Sequence, residues 1–86
     1  MKVLFYGNAQ EKALGEKSAD FGDVQSVGVL IDQLGERFGG DLKDYLLGEN
    51  TCLLLVNGSG IATTGGLKTP ISADDKIEIL PFVQGG

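Results

Sequence analysis

The last five residues of the sequence are the strongest candidates for taking part in a reaction: Phe82, Val83, Gln84, Gly85 and Gly86. The two glycines have no side chain, so they can enter a channel that excludes a Cβ atom and can lie close to another protein's backbone. A terminal carboxylate on Gly86 is anionic at neutral pH, because its ordinary pKa is about 3.5. Such a carboxylate is a poor electrophile, so acyl chemistry there requires a second enzyme that activates it before a nucleophile attacks.

The segment just before these residues is typical of a strand that holds the glycines at a defined point. Ile77 and Ile79 alternate with other residues, as in a strand with one buried face. Pro81 lacks the N–H that a sheet ladder needs, so it marks the end of ordinary pairing. Residues 83–86 can extend roughly 13 Å beyond that point, at about 3.3 Å per residue. We expect a folded domain over residues 1–82 and a flexible tail after it, the plainer alternative being a disordered end without a role.

The composition excludes most other kinds of chemistry. The 86 residues are the length of one domain, contain no histidine and include a single cysteine, so imidazole chemistry, an internal disulfide and a Cys-based zinc site are excluded. The net charge is −5 with only seven Lys and Arg residues, which argues against a nucleic-acid partner and favours a basic protein partner. No apolar run approaches the roughly 18 residues of a membrane helix, and the N-terminus lacks the pattern of a signal peptide. We expect a cytoplasmic protein that binds no metal.

The most clearly predicted element upstream is an α-helix that begins after Ser26. Its apolar residues recur at i, i+3, i+4, i+7 and i+11, which is one face of a helix: Val27, Leu30, Ile31, Leu34 and Phe38. Ser26 stands at the N-cap position, and Gly39 follows where a left-handed residue is favoured. Gly28 and Gly35 inside the helix each cost about 1 kcal/mol relative to alanine, so docking of the apolar face must stabilise the helix.

Strands are predicted on both sides of this helix. Residues 2–7 suit a half-buried first strand, and the polar residues 8–22 indicate a loop that leads into a short second strand within residues 17–21. After the helix, residues 41–50 favour a short helical turn with Asp41 as its cap.

The second half of the sequence completes the predicted sheet. Residues 51–56 are nearly all apolar and suit a central strand, while Asn57 and Gly58 predict a hairpin turn. The closing strand runs up to Pro81. The whole pattern predicts an α+β fold, with a mixed sheet of four to five strands and one main helix packed on one face.

Three other candidate sites carry weaker signals. Residues 57–66, "NGSGIATTGG", lack the spacing of a phosphate-binding loop, so a glycine-rich hairpin is favoured. Cys52 lies in an apolar run without a basic neighbour in sequence that would lower its pKa, which favours packing over thiol chemistry. Four acids are favoured as parts of solvated turns rather than as ligands of a cation: Asp20, Asp23, Asp74 and Asp75.

Four segments of the sequence carry a resemblance to a known family. They are "MKVLFYGNAQE", "SVGVLIDQLGERF", "LLLVNG" and "PISADDKIEILPFVQGG", and they span almost the whole chain. Together they resemble the ubiquitin-like sulfur carriers of the MoaD/ThiS family. The sequence is most similar to the small subunit of molybdopterin synthase, with the thiamine-biosynthesis sulfur carrier as a relative. The resemblance implies a β-grasp, ubiquitin-like fold.

The resemblance also implies roles for the last residues and for partner proteins. An E1-like (MoeB-like) adenylating enzyme uses ATP to convert the Gly86 carboxylate to an acyl-adenylate, and sulfur then replaces AMP to give a thiocarboxylate. In molybdopterin synthase the tail enters the large subunit (MoaE-like), where the sulfur builds the dithiolene of molybdopterin. Gly86 would bear the sulfur and Gly85 would permit threading. The residues along the channel would be Phe82, Val83 and Gln84. The carrier itself would bind no cofactor and supply no acid or base.

The sequence leaves three functions open. The first is a sulfur carrier for molybdopterin, or for thiamine or another thiolation pathway, since Phe82 stands where the family's small subunits often have a second proline. The second is a ubiquitin-like modifier whose activated Gly86 forms amide bonds with lysines of other proteins. The third is an interaction module with an inert tail.

Overall fold

The computed structural model describes residues 1–48 and 51–82. Its helices and strands follow one another along the chain in this order: β1 (Lys2–Phe5), α1 (Asn8–Lys12), β2 (Ser18–Asp20), α2 (Val27–Phe38), α3 (Gly40–Leu47), β3 (Cys52–Val56), β4 (Ser59–Gly60) and β5 (Lys76–Pro81). Two short 3-10 turns, Ile61–Thr63 and Gly66–Lys68, lie between β4 and β5. The α+β prediction, with a mixed sheet and one main helix, is confirmed.

The five strands form one mixed sheet in the order β2-β1-β5-β3-β4. β5 lies at its centre, parallel to β1 on one side and antiparallel to β3 on the other. Ile79 faces Phe5 of β1 and Leu54 of β3 in this register, and all three side chains are buried. The strand that leads to the tail is therefore held by hydrogen bonds on both edges.

The main helix, α2, has the bounds and caps that its sequence predicts. The Ser26 Oγ accepts a hydrogen bond from the Val29 N–H at 3.4 Å, and Gly39 ends the helix with φ 109°. Its apolar face is buried against the sheet, where the ring of Phe38 meets Phe5 edge-on at 5.5 Å between centroids. Burial of five apolar side chains contributes on the order of 10 kcal/mol gross, which outweighs the helix propensity lost at the glycines.

The two glycines inside α2 are explained by close neighbours. A Cβ atom on Gly28 would lie 3.2 Å from the backbone oxygen of Leu67 in the second 3-10 turn. A Cβ atom on Gly35 would lie 3.1 Å from the side chain of Lys43 in α3. Both distances are tighter than ordinary van der Waals contact, so these glycines let two segments pack directly on the helix.

The prediction of a loop for residues 8–22 is wrong at its start, because the first residues of this segment form the helix α1. This helix has only five residues, and its buried positions are the small Ala9 and, at its C-terminal cap, Ala13. Neither the length nor the side-chain size gives an amphipathic pattern that can be recognised in the sequence. The second strand, β2, lies near the end of the segment as predicted.

The short helix α3 is confirmed, but its predicted cap is wrong. Gly39 occupies the N-cap position, and no side chain caps the helix. Asp41 instead lies within the first turn, where its charge suits the helix dipole. Leu42 and Leu46 are buried, and the half-buried Tyr45 packs against the same core.

The β3–β4 hairpin forms at the predicted turn. Asn57 and Gly58 have φ values of 52° and 86°, as a two-residue hairpin turn with two left-handed positions requires. None of the helices within the described ranges is long and apolar enough to cross a membrane.

Candidate functional site

The point at which the chain leaves the sheet is fixed on both sides. Pro81 is the last residue of β5 and pairs with Cys52 of β3, so within the described residues regular strand pairing ends at the proline, as predicted. The N–H of Phe82 still donates to the backbone oxygen of Thr51 at 3.5 Å, and the Phe82 side chain is half-buried. Of the five site residues predicted from the sequence, only Phe82 is described. The other four lie outside the described residues: Val83, Gln84, Gly85 and Gly86.

Gly7 packs on the other side of this exit point. It has φ 58° and ψ −128°, a conformation that side chains of L-residues rarely adopt. A Cβ atom there would lie 2.8 Å from the Cγ atom of Pro81. The preceding residue, Tyr6, donates its backbone N–H to the Ile79 oxygen at 3.0 Å. The end of β1 and the start of α1 therefore lie directly against the proline that precedes the tail.

One face of the sheet, away from the helices, forms an apolar surface next to the exit point. Strand alternation buries Val3, Ile77 and Ile79 on the helix side and places their sequence neighbours on the opposite side. We call the opposite side the open sheet face, and its central residues are Leu4, Tyr6, Leu53, Leu55, Glu78 and Leu80. Leu53 is 44% exposed and Tyr6 is 40% exposed. An apolar, exposed sheet face of this kind is typical of a protein-binding surface.

Cys52 lies near the exit point but is not arranged as a nucleophile. Its side chain is half-buried, on the same side of β3 as Leu54, and its Sγ lies 3.7 Å from the backbone oxygen of Tyr45. Burial raises the pKa of the Cys52 thiol, so the reactive thiolate is disfavoured at neutral pH. These contacts support the predicted packing role, although the side chain is only partly covered.

The Asp75 carboxylate is a structural clamp rather than a ligand site. Its Oδ1 accepts from the Asn57 side-chain amide at 2.9 Å, and its Oδ2 accepts from the Ser72 N–H at 2.8 Å. These hydrogen bonds lower the pKa of Asp75. The Asn57 side-chain oxygen in turn accepts from the Lys76 N–H at 2.9 Å. The clamp joins the hairpin turn to the start of β5, as the prediction of a turn implies.

The other weak signals also resolve into local structure. The glycine-rich stretch forms the hairpin and the two 3-10 turns, in which the buried Thr69 hydroxyl donates to the Gly66 oxygen at 2.7 Å. Asp20 ends β2 rather than lying in a turn, and its backbone oxygen accepts from the Arg37 guanidinium at 3.0 Å. Within residues 1–48 and 51–82, no three acidic or thiol side chains cluster in a way that could hold a metal ion.

Two residues of this site were not singled out in the sequence. Gly7 follows a strand directly, which is a weak signal for a left-handed residue, but its contact with Pro81 is visible only in the fold. Glu78 falls on the outward side of β5 because it alternates with Ile77 and Ile79. Its place in the middle of an apolar surface depends on the strand order, which the alternation pattern does not provide.

Comparisons with known proteins point to one family. The model of the ThiS family matches residues 3–86. CysO from Mycobacterium tuberculosis is 24% identical, with a TM-score of 0.83 over 95% of this chain and 98% of CysO. A chain of the BexX/CysO complex from Amycolatopsis orientalis is 28% identical, with a TM-score of 0.82 over 99% of this chain and 98% of that chain. The small archaeal modifier protein 1 from Methanosarcina acetivorans is 27% identical, with a TM-score of 0.79 over 99% and 94%. No curated protein matches the chain.

The family match and the fold lead to the same conclusion. The match covers almost every residue, and the mixed five-stranded sheet is the β-grasp fold of the ubiquitin-like structures that resemble it. This agreement confirms the family resemblance of the four sequence segments. The chain belongs to the ThiS family and is a ubiquitin-like sulfur carrier of the MoaD/ThiS type.

Proposed function

We propose that the protein carries sulfur as a thiocarboxylate on Gly86 and donates it, as the small subunit of molybdopterin synthase, to the dithiolene of molybdopterin. The observation that carries this proposal is the course of β5. The strand is held on both edges in the centre of the sheet, ends at Pro81 and leads through Phe82 towards Gly85 and Gly86. A tail that starts from so rigid a base can be presented to another enzyme without disturbing the core.

The proposed chemistry takes place on partner enzymes and balances in three steps. A Gly86 carboxylate oxygen attacks the α-phosphorus of ATP on an E1-like adenylating enzyme, and pyrophosphate leaves. A sulfide equivalent from a sulfur donor then attacks the acyl carbon. The bond between this carbon and the AMP phosphate oxygen breaks, and AMP leaves. On the large subunit the thiocarboxylate sulfur attacks a carbon of the pterin precursor and displaces an oxygen substituent from it. Water then hydrolyses the resulting thioester, which restores the Gly86 carboxylate and leaves the sulfur on the pterin. A dithiolene contains two sulfur atoms, so its formation consumes two charged carriers. A cytoplasmic location suits these three reactions because the first of them consumes ATP.

The chain's own residues position the tail in this scheme. Gly85 and Gly86 fit a channel too narrow for a Cβ atom, and Phe82, Val83 and Gln84 contact its walls. Cys52 does not take part as a sulfur relay, because burial raises the pKa of its thiol. The open sheet face supplies the apolar surface on which a partner docks.

A ubiquitin-like modifier is the second candidate function. It is favoured by the likeness to the small archaeal modifier protein 1 at 27% identity. A modifier would use the same activated Gly86 but would transfer its acyl group to a lysine amine of another protein. The similar CysO chain from Amycolatopsis orientalis is found in a complex with BexX, and docking on a second protein is a property that both a carrier and a modifier require. Sulfur delivery to thiamine or to another thiolated product would use the same first two steps as delivery to molybdopterin.

Incubation with the E1-like adenylating enzyme from the same organism, ATP and a sulfide source tests the proposal. Intact-protein mass spectrometry should show replacement of one oxygen by sulfur, located at Gly86 by fragmentation. The charged carrier is then mixed with the molybdopterin synthase large subunit and the cyclic pterin precursor, and dithiolene formation is measured. Covalent adducts on lysines would favour the modifier. A charged carrier that gives no dithiolene would reject the molybdopterin pathway, and an unchanged mass would reject the carrier function.

A further inference from the structure

A single carboxylate lies in the middle of the apolar open sheet face. Glu78 belongs to β5, the central strand, and stands opposite Leu4 of β1 and Leu55 of β3. The next outward residue along β5 is Leu80, which stands opposite Leu53. Leucines therefore flank this charge on both neighbouring strands and on one side along its own strand, where Lys76 is the outward neighbour on the other side.

The Glu78 carboxylate is only weakly satisfied within the described part of the chain. Its Oε2 accepts from the Tyr6 hydroxyl at 3.4 Å, and its Oε1 lies 3.8 Å from the Lys76 ammonium. Both distances are long for charge-assisted hydrogen bonds, which are typically about 2.7–2.9 Å. The Glu78 side chain is 19% exposed, whereas that of Lys76 is 56% exposed. The Glu78 side chain is therefore mostly covered but still partly open to water.

Docking of a purely apolar surface on this face would be opposed by Glu78. Removal of the remaining water would leave an ionised carboxylate buried with poor partners, and such desolvation is costly unless a cation or strong donors replace the water. A guanidinium supplies two parallel donors that match a carboxylate, together with flat faces that pack against leucines. The net charge of −5 also steers a basic partner towards this protein.

We propose that Glu78 is a specificity-determining residue of the open sheet face, and that the adenylating enzyme which docks there presents an apolar surface with one arginine over the Glu78 carboxylate. The arginine donates to both carboxylate oxygens, while the surrounding leucines exclude water from the pair. Partners that oppose this position with an apolar or acidic side chain bind weakly. This inference rests on the proposed function, since it concerns the enzyme that charges Gly86.

Binding of the carrier to the E1-like adenylating enzyme from the same organism tests the inference. It is measured by titration calorimetry at two salt concentrations. Glu78→Gln keeps the shape of the side chain and removes its charge, and Glu78→Leu makes the face wholly apolar. Glu36→Gln, an exposed position on α2, is the matched control because it changes the net charge equally. We expect both Glu78 variants to bind at least about tenfold more weakly, with a smaller salt dependence, and the control to bind like wild type. Circular dichroism verifies that all three variants fold.

The outcomes separate this inference from the proposed function. Equal or tighter binding of Glu78→Leu would overturn the inference, as would an equal loss in Glu36→Gln or a wild-type protein that does not bind. If wild type is thiocarboxylated but the Glu78 variants bind normally, only the inference fails. If the Glu78 variants lose affinity but wild type never gains sulfur at Gly86, only the sulfur-carrier function fails.

Discussion

Gly7 and Pro81 pack against each other so closely that a Cβ atom on Gly7 would lie 2.8 Å from the Pro81 Cγ atom. The contact joins the first loop of the chain to the last residue of the central strand, at the base of the tail. Since the proline ring is rigid, anything that displaces it also displaces Phe82, the next residue.

Gly7→Ala is expected to destabilise the fold by about 2 kcal/mol. The alanine backbone is strained at a positive φ, and its Cβ atom also displaces Pro81. The change is measured by chemical denaturation. Gly15→Ala is the matched control: Gly15 also has a positive φ, 86°, but nothing lies within 4 Å of its Cβ position. It should lose only the backbone part, about 1 kcal/mol. Equal losses in the two variants would show that the Pro81 contact has no energetic weight.

Deletion of Gly86 should abolish thiocarboxylate formation and leave the free energy of unfolding unchanged. The physical reason is that the buried core is supplied by residues up to Ile79, whereas the reacting carbonyl belongs to the last glycine. An added residue after Gly86 should have the same effect, because it moves the carboxylate out of register with the adenylating site. Mass spectrometry and thermal denaturation measure the two properties separately. Unfolding of either variant would contradict the separation of tail and core.

The clamp around Asp75 predicts a pH dependence of stability. Its hydrogen bonds with the Asn57 amide and the Ser72 N–H lower the pKa in the folded state, from an ordinary value of 3.8. The unfolded chain therefore takes up a proton first as the pH falls. The stabilisation is complete above the ordinary value and is lost as the pH falls through the lower, folded pKa.

Asp75→Asn should therefore be less stable than wild type at neutral pH, and the difference should shrink under acid. Urea denaturation at several pH values measures it. Asp74→Asn, which removes the same charge from the neighbouring residue, serves as the control and should follow wild type more closely. A difference between Asp75→Asn and wild type that does not change with pH would mean that the Asp75 charge does not contribute.

Cys52→Ser should keep full sulfur-transfer activity and lose about 1 kcal/mol of stability, since a hydroxyl replaces a half-buried thiol that packs as a small apolar group. In the wild type, the raised pKa predicts slow alkylation by iodoacetamide at neutral pH, with the rate increasing as the pH rises. A free cysteine in a peptide provides the reference rate. Loss of transfer without loss of stability would assign the thiol a chemical role.

Elements that depend on a pattern of neighbouring residues can be predicted from the sequence. Contacts between residues that are distant in the sequence cannot. Helix α2 has a regular apolar face, a serine cap and a terminal glycine, so its bounds follow from residues 26–39. Helix α1 buries only alanines and has no such face. The interior glycines of α2 look like a cost in the sequence. The structure explains them by Leu67 and Lys43, which come from segments whose approach no local pattern encodes.

The same division applies to the candidate site. The role predicted for residues 82–86 depends on residue types in one run and stays a prediction, whereas the family resemblance, which depends on four such runs, is confirmed. Gly7 and Glu78 gain their importance from neighbours on other strands. Their significance follows from strand order and register, which come from the packing of the whole chain.

The central position of β5 also determines when the sheet can be completed during synthesis of the chain. Translation delivers this strand after all its neighbours, so β1 and β3 remain without their shared partner until residue 81 has emerged from the ribosome. Long-range pairing of this kind forms late and cooperatively. A chain released early, or one that has begun to unravel, lacks the anchored proline from which the tail departs. An adenylating enzyme that docks on the open sheet face would therefore bind poorly to molecules that have not finished folding.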